Sequence, residues 1–177
     1  MARGSRTSRT IRAHDTDVRL RRPALAALAC LLTLGVWGAV HHQRLTRELA
    51  RFGRARGRMP FPFIRVSPGA STLAWIAGLL GWFGLVAAIV AYVAQLLDGY
   101  TPSTEDITAF ASIGLLLAPL WLAMSHTMRR IRTAQHLAGV DGPHPSPLRG
   151  AILAAIFPPL GSWHAQRQAN RAWAAYR

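Results

Sequence analysis

The residues able to do chemistry are few, and their spacing restricts them further. Of seven histidines, His41 and His42 look most like metal ligands. Neighbours on a helix point about 100° apart, so the pair cannot close on one inward-facing ion. His126, His136 and His164 join them only through tertiary folding, and no cysteine or carboxylate stands at ligand spacing. Neither a metal nor a cofactor is expected. The seven acids are Asp15, Asp17, Glu48, Asp98, Glu105, Asp106 and Asp141. None lies inside an apolar run, where ion and proton pathways usually place one. Serine and histidine form no nucleophile signature. A phosphate-binding loop ending in lysine is excluded because the chain has no lysine. The one cysteine, Cys30, sits in an apolar run and reads as a small buried hydrophobe; it permits no intrachain disulfide. No catalytic group is expected.

Two polar features remain. Gln166 and Asn170 lie four apart, on one helical face, near Trp163. They are expected to act as a structural lock that bonds the carbonyls exposed where Pro158-Pro159 breaks a helix. All 21 basic residues are arginine, the net charge is +14 and 51% of the chain is hydrophobic. Arginines beside long apolar runs favour anionic lipid headgroups. Arg44, Arg47, Arg51, Arg129, Arg130 and Arg132 are the candidate headgroup contacts. Nucleic acid is not an expected partner, because aromatic and basic residues do not interleave and no nucleic-acid fold signature occurs.

The elements that must position these groups begin with residues 72–97. This stretch holds 26 residues without a charge, about 39 Å of helix against a hydrocarbon core of about 30 Å. The expected fold is an all-α integral membrane domain over 23–177, preceded by a disordered, arginine-rich cytoplasmic tail at 1–22. Four apolar helical segments are read at 23–40, 72–97, 107–124 and 150–163. Ser67-Pro68 predicts an N-cap before the second. Ser103 and Asp106 predict a capping box before the third, and Pro119 a kink within it. Residues 41–52 continue the first segment as a basic amphipathic surface helix with Leu45, Leu49 and Phe52 on one stripe. Residues 59–64 read as an extended interfacial segment and 137–148 as a loop. Gly78, Gly81 and Gly84 recur every three residues and predict a surface on which another helix packs closely. Pro158-Pro159 leaves a short piece of helix before the break and a polar helix from about Gly161.

Charge decides between layouts. If all four apolar segments cross, ten arginines lie on one side and eleven on the other. If only 72–97 and 107–124 cross, all 21 lie on one side and the acidic turn at 98–106 on the other. The second layout is expected: a central transmembrane hairpin, bent or re-entrant first and last segments, and both termini in the cytoplasm of a multi-pass cell-membrane protein. Residues 38–44 and 161–167 match at four of seven positions, a weak internal echo. A rival repeat pairs Pro23 and Pro68 with Pro102 and Pro147, each pair 45 apart.

The run Arg129-Arg130-Ile131-Arg132-Thr133-Ala134-Gln135-His136-Leu137-Ala138-Gly139-Val140, a proline-led apolar run, then Gln166 with Asn170-Arg171-Ala172-Trp173, resembles the C-terminal part of the domain of unknown function 4234 family. Thr46-Arg47-Glu48-Leu49 is similar to the end of that family's opening helix, where asparagine is usual at the position of Thr46. The resemblance covers about residues 23–177. It implies a small bacterial membrane protein without an assigned activity, hence a class and no mechanism.

The resulting expectation is a non-enzymatic structural or interaction protein that binds anionic lipid headgroups and packs against partner helices, in a homo-oligomer or with another membrane protein. The alternatives are a small transporter or channel subunit built on broken helices, and a lipid-modifying enzyme using His41, His42 and His164.

Overall fold

A computed structural model describes residues 8–13, 16–55 and 66–176. The interfacial segment read at 59–64 and the first residues of the tail lie outside the described residues. The described chain is helical apart from one hairpin at its start.

That hairpin differs from the disordered tail expected there. Strands β1 (Ser8–Ala13) and β2 (Thr16–Arg21) pair antiparallel, with Ser8 opposite Arg21 and Ala13 opposite Thr16. The reason is an alternation that the arginine-rich composition hides. Val18 and Leu20 fall on one face of β2. Val18 is fully buried in the main core and Leu20 packs against it.

Two ten-residue helices, α1 (Pro23–Leu32) and α6 (Pro147–Ile156), each lead across a break into a longer one. Each is about 15 Å long, half a hydrocarbon core. After α1 the chain closes in a Schellman arrangement. The N–H of Leu34 donates to Leu31 O at 3.2 Å, that of Gly35 to Cys30 O at 2.7 Å, and both residues have positive φ, 48° and 87°. Helix α2 (Val36–Ala55) then begins. The first apolar segment is thus broken without a proline. At the other end Phe157 is extended, φ −153° and ψ 105°, as the residue before a proline tends to be. Helix α7 (Pro158–Ala174) starts directly from it, three residues before the expected Gly161. Helix α6 also starts inside the stretch read as loop, because Ser146 Oγ accepts from Arg149 N at 3.4 Å and Pro147 suits the first helical turn.

Between these broken pairs lie α3 (Pro68–Leu97), α4 (Thr104–Leu115) and α5 (Ala118–Leu137). Ser67 Oγ accepts from Ala70 N at 3.0 Å. Ser103 and Asp106 form both halves of a capping box, and Tyr100 Oη donates to Asp106 at 2.9 Å. The bend near Pro119 falls at Leu116-Leu117, because proline cannot donate to the carbonyl of Leu115. Among the described residues two helices are long and apolar enough to cross a membrane: Pro68–Leu97, and Thr104–Leu137 taken through its bend. Protein covers 22% and 18% of their most apolar windows, too little for the central helices of a water-soluble core.

Helix α7 is the hub, packing on α1, α2, α5, α6 and β2. One expectation is corrected here. The stripe Leu45, Leu49 and Phe52 does not face a membrane surface. All three are buried in the main core, and Phe52 meets Trp173 edge-on at 5.2 Å and Tyr176 at 5.7 Å. An amphipathic pattern is the same whether its apolar face meets lipid or protein.

Candidate functional site

The site is best built from β2 and the first broken pair. Arg21 ends β2 and forms a two-pronged ion pair with Glu48 on α2: its Nη1 donates to Oε2 at 3.2 Å, and its Nη2 to Oε1. Asn170 on α7 holds the same residue by its backbone. The Arg21 N–H donates to Asn170 Oδ1 at 3.4 Å, and Asn170 Nδ2 donates to Arg21 O at 2.6 Å. Gln166 Nε2 in turn donates to Asn170 Oδ1 at 2.6 Å. The pair Gln166 and Asn170 therefore fastens β2 to α7 and not the Pro158-Pro159 break, as read from sequence. At that break Trp82 Nε1, from α3, donates to Ile156 O at 3.4 Å. The signal for Trp82 was invisible because 74 residues separate the partners.

With its open end clasped by Arg21 and Glu48, the α1–α2 pair encloses a groove of about 480 Å³. His41 lines it and is 4% exposed, and its Nε2 has no hydrogen-bond partner. Burial, then Arg21 and Arg44, lower its pKa to about 4. His42 points elsewhere, as adjacent helical positions require. It shares a 2.9 Å hydrogen bond with Ser71 Oγ and stacks on Trp75 at 5.0 Å. Burial, then His41 and Arg130, lower its pKa to about 3. His164 on α7 is also buried with an unpartnered Nε2, and its pKa is lowered by burial and then by Arg149 and Arg167. Each of these three rings is therefore neutral near pH 7. Among the described residues no three His, Cys, Asp or Glu side chains gather around a possible metal position.

The six candidate headgroup arginines divide. Arg44, Arg47 and Arg51 are exposed on α2, and Arg129 and Arg132 on α5. Arg130 turns inward, donating through Nη2 to Val66 O, and its Nη1 is buried without a partner. It closes the chain's entry into α3 and is removed from the headgroup set. Arg44 also lies over the Trp37 ring, 5.5 Å from its centre, and Arg167 over Trp163 at 5.3 Å.

The glycine surface is occupied from within. A Cβ on Gly78 would lie 2.7 Å from Leu120 Cα, and one on Gly81 would lie 2.5 Å from Leu116 O. The pair therefore seats the bend between α4 and α5, and only Gly84, with nothing within 4 Å, stays open.

The echo of residues 38–44 and 161–167 falls just after the two breaks. A Cβ on Gly38 would meet Cys30 Sγ at 2.7 Å, and one on Gly161 would meet Ala154 Cβ at 2.7 Å. In both places glycine lets the short helix fold closely against the long one, and the matched His41 and His164 are both buried. The rival repeat has no such counterpart, since Pro102 precedes α4 without starting a helix. Both breaks also line one apolar cavity of about 190 Å³, with Gly35, Leu79, Trp82 and Phe157 in its wall. Sequence reading gave no site role to Gln135. It is fully buried, donates from Nε2 to Gln168 O at 2.8 Å, and bonds His144 Nδ1 through Oε1 at 3.2 Å, tying α5 to α7 and to the loop before α6.

No family model, curated protein or solved structure matches the chain.

Proposed function

We propose that this chain is a non-enzymatic membrane protein of the multi-pass class implied by its resemblance to the domain of unknown function 4234 family, and that it holds anionic lipid at one membrane face. In this reading α3 and the α4–α5 unit cross as a hairpin, while α1 and α6 enter partway and return. The observation that carries it is charge placement. Every one of the 21 arginines lies outside residues 66–128, so a two-crossing hairpin leaves them all on the cytoplasmic side. Arg44, Arg47, Arg51, Arg129 and Arg132 are exposed there. Each such cation near an anionic surface is worth about 1 kcal/mol. Gly78 and Gly81 are used inside the chain, so a partner helix or second copy would meet the exposed apolar face around Leu73, Leu80 and Gly84 instead.

Two measurements test the reading. Reporter fusions after Gly57 and after Arg177 should give a cytoplasmic signal, and a fusion at Gly99 an exterior one. Flotation with phosphatidylglycerol-containing vesicles should exceed flotation with phosphatidylcholine alone. An exterior Arg177, or equal flotation, overturns it. A second reading, a small transport unit, is favoured by the two helix breaks meeting at one cavity, as broken helices do at substrate sites. Solute flux through purified, reconstituted protein decides it, and no flux retires it.

A further inference from the structure

The groove between α1 and α2 has two unlike ends. At the bend, Leu28, Leu32 and Trp37 line it, and all three are exposed. At the open end stand Arg21 and Arg22, while Arg44 reaches along the groove to set its guanidinium over the Trp37 ring, 5.5 Å from its centre. Arg21 is neutralised by Glu48. Among the described residues neither Arg22 nor Arg44 has an acidic partner, so the groove keeps two uncompensated cations. His41 lies between the ends, nine-tenths buried, with an Nε2 that nothing satisfies. A buried ring nitrogen without a partner costs free energy unless something bonds it. Its volume of about 480 Å³ falls within the range of sites that hold a small molecule.

An apolar strip, a buried imidazole and two cations thus line a single groove, matching the acyl chain, the ester and glycerol oxygens, and the phosphate of a phospholipid. We propose that the α1–α2 groove is a site for one anionic phospholipid: phosphate at Arg22 and Arg44, an ester or glycerol oxygen at His41 Nε2, and one acyl chain along Leu25, Leu28 and Leu32. The site rests on the lipid-binding reading above and sharpens it from a diffuse cationic face to one stoichiometric position. Its polarity agrees with the proposed placement of α1. The bend lies deeper in the bilayer and the Arg21–Glu48 clasp at headgroup level. The clasp holds the mouth at a fixed width, and Asn170 anchors the clasp to α7.

Native mass spectrometry of the full chain in detergent tests it, with phosphatidylglycerol, phosphatidylcholine and soluble glycerol 3-phosphate as probes. The expected result is a saturable adduct of one phosphatidylglycerol per chain. The double variant Arg22→Gln/Arg44→Gln should weaken it at least about tenfold, equivalent to about 1.4 kcal/mol. Ala29→Phe, which fills the groove from α1, should weaken it comparably without touching the cations. Arg47→Gln/Arg51→Gln, one and two turns farther along the same stripe of α2 and outside the groove's lining, should leave it unchanged. Glycerol 3-phosphate should bind far more weakly than the lipid. Equal loss in the Arg47/Arg51 and Arg22/Arg44 variants would overturn the groove and leave the diffuse reading standing. Insensitivity to Ala29→Phe, or equal binding of glycerol 3-phosphate, would overturn the acyl seat and with it the proposal. Equal binding of phosphatidylcholine and phosphatidylglycerol, together with equal flotation, would end both readings. Thermal midpoints of the variants show whether each is folded, and should either fail, the competition between glycerol 3-phosphate and lipid on the unaltered chain still decides.

Discussion

Substituting Gly78 by alanine adds one methyl group at the closest approach of α3 to α5. That methyl would lie 2.7 Å from Leu120 Cα and inside the contact distance of Leu120 N and Cβ. None of these atoms can rotate away, since they belong to or adjoin the backbone, so the helices must part by about 1 Å. A gap of that size forfeits up to about half of each contact's dispersion energy, and overpacking of this kind costs about 1–3 kcal/mol. Alanine returns about 1 kcal/mol through helix propensity. The expected net loss is up to about 2 kcal/mol, a fall in thermal midpoint of up to about 8 °C for a chain of this size. Gly81→Ala should behave alike, because its Cβ would meet Leu116 O at 2.5 Å and Leu116 C at 2.9 Å. Gly84→Ala is the internal control: nothing lies within 4 Å, so only the propensity gain remains and the midpoint should rise or hold. The assay is thermal unfolding of the purified protein in one detergent, followed by circular dichroism. If Gly78→Ala is as stable as Gly84→Ala, α3 and α5 do not pack as described. A loss at Gly84 equal to that at Gly78 would place another helix against the open face.

Three further outcomes are expected. Asn170→Ala removes both bonds to the Arg21 backbone and should cost about 1–3 kcal/mol, with faster amide exchange over Thr16–Arg21 and unchanged exchange in α3; unaltered exchange in β2 would refute the clasp. Acid should destabilise the fold through His41 and His42, whose folded pKa values of about 4 and about 3 lie below the ordinary value of 6.5. Between these limits the unfolded chain binds more protons, so stability is complete above pH about 6.5 and falls as pH drops toward about 4, by up to about 1.4 kcal/mol per unit for each ring. Midpoints measured over that window should decline, with a shallower slope in His41→Gln, and a flat profile would refute the burial of these rings as neutral groups. Asp106→Ala removes half of the capping box and should cost about 0.5–2 kcal/mol, confined to faster exchange at the start of α4; protection lost throughout the core would contradict the local role.

The residues alone determined whatever depends on near neighbours or on length. An uncharged stretch at 72–97 outlasts a bilayer wherever it lies, Ser67 and the Ser103–Asp106 pair cap the helices that follow them, and prolines at 119 and 158 interrupt theirs, because these effects act within four residues. The break after Leu32 was only half legible. Gly35 weakens a helix, but the Schellman closure also needs Leu34 in a left-handed conformation that leucine seldom adopts. Direction was settled by tertiary packing. The same periodicity in α2 suits lipid or protein, and α7 decided for protein by setting Trp173 against Phe52. The same arginine run yields two exposed cations and one inward one, because Arg130 alone reaches the carbonyl of Val66. The glycines that look ready for a partner receive the chain's own bend at Leu116 and Leu120. The unpartnered nitrogen of His41 and the groove around it arise only once Glu48 and Asn170 draw Arg21 into place, over 27 and 149 residues of chain. Burial and unmet hydrogen bonds are properties of what comes to lie nearby, and no local pattern encodes them.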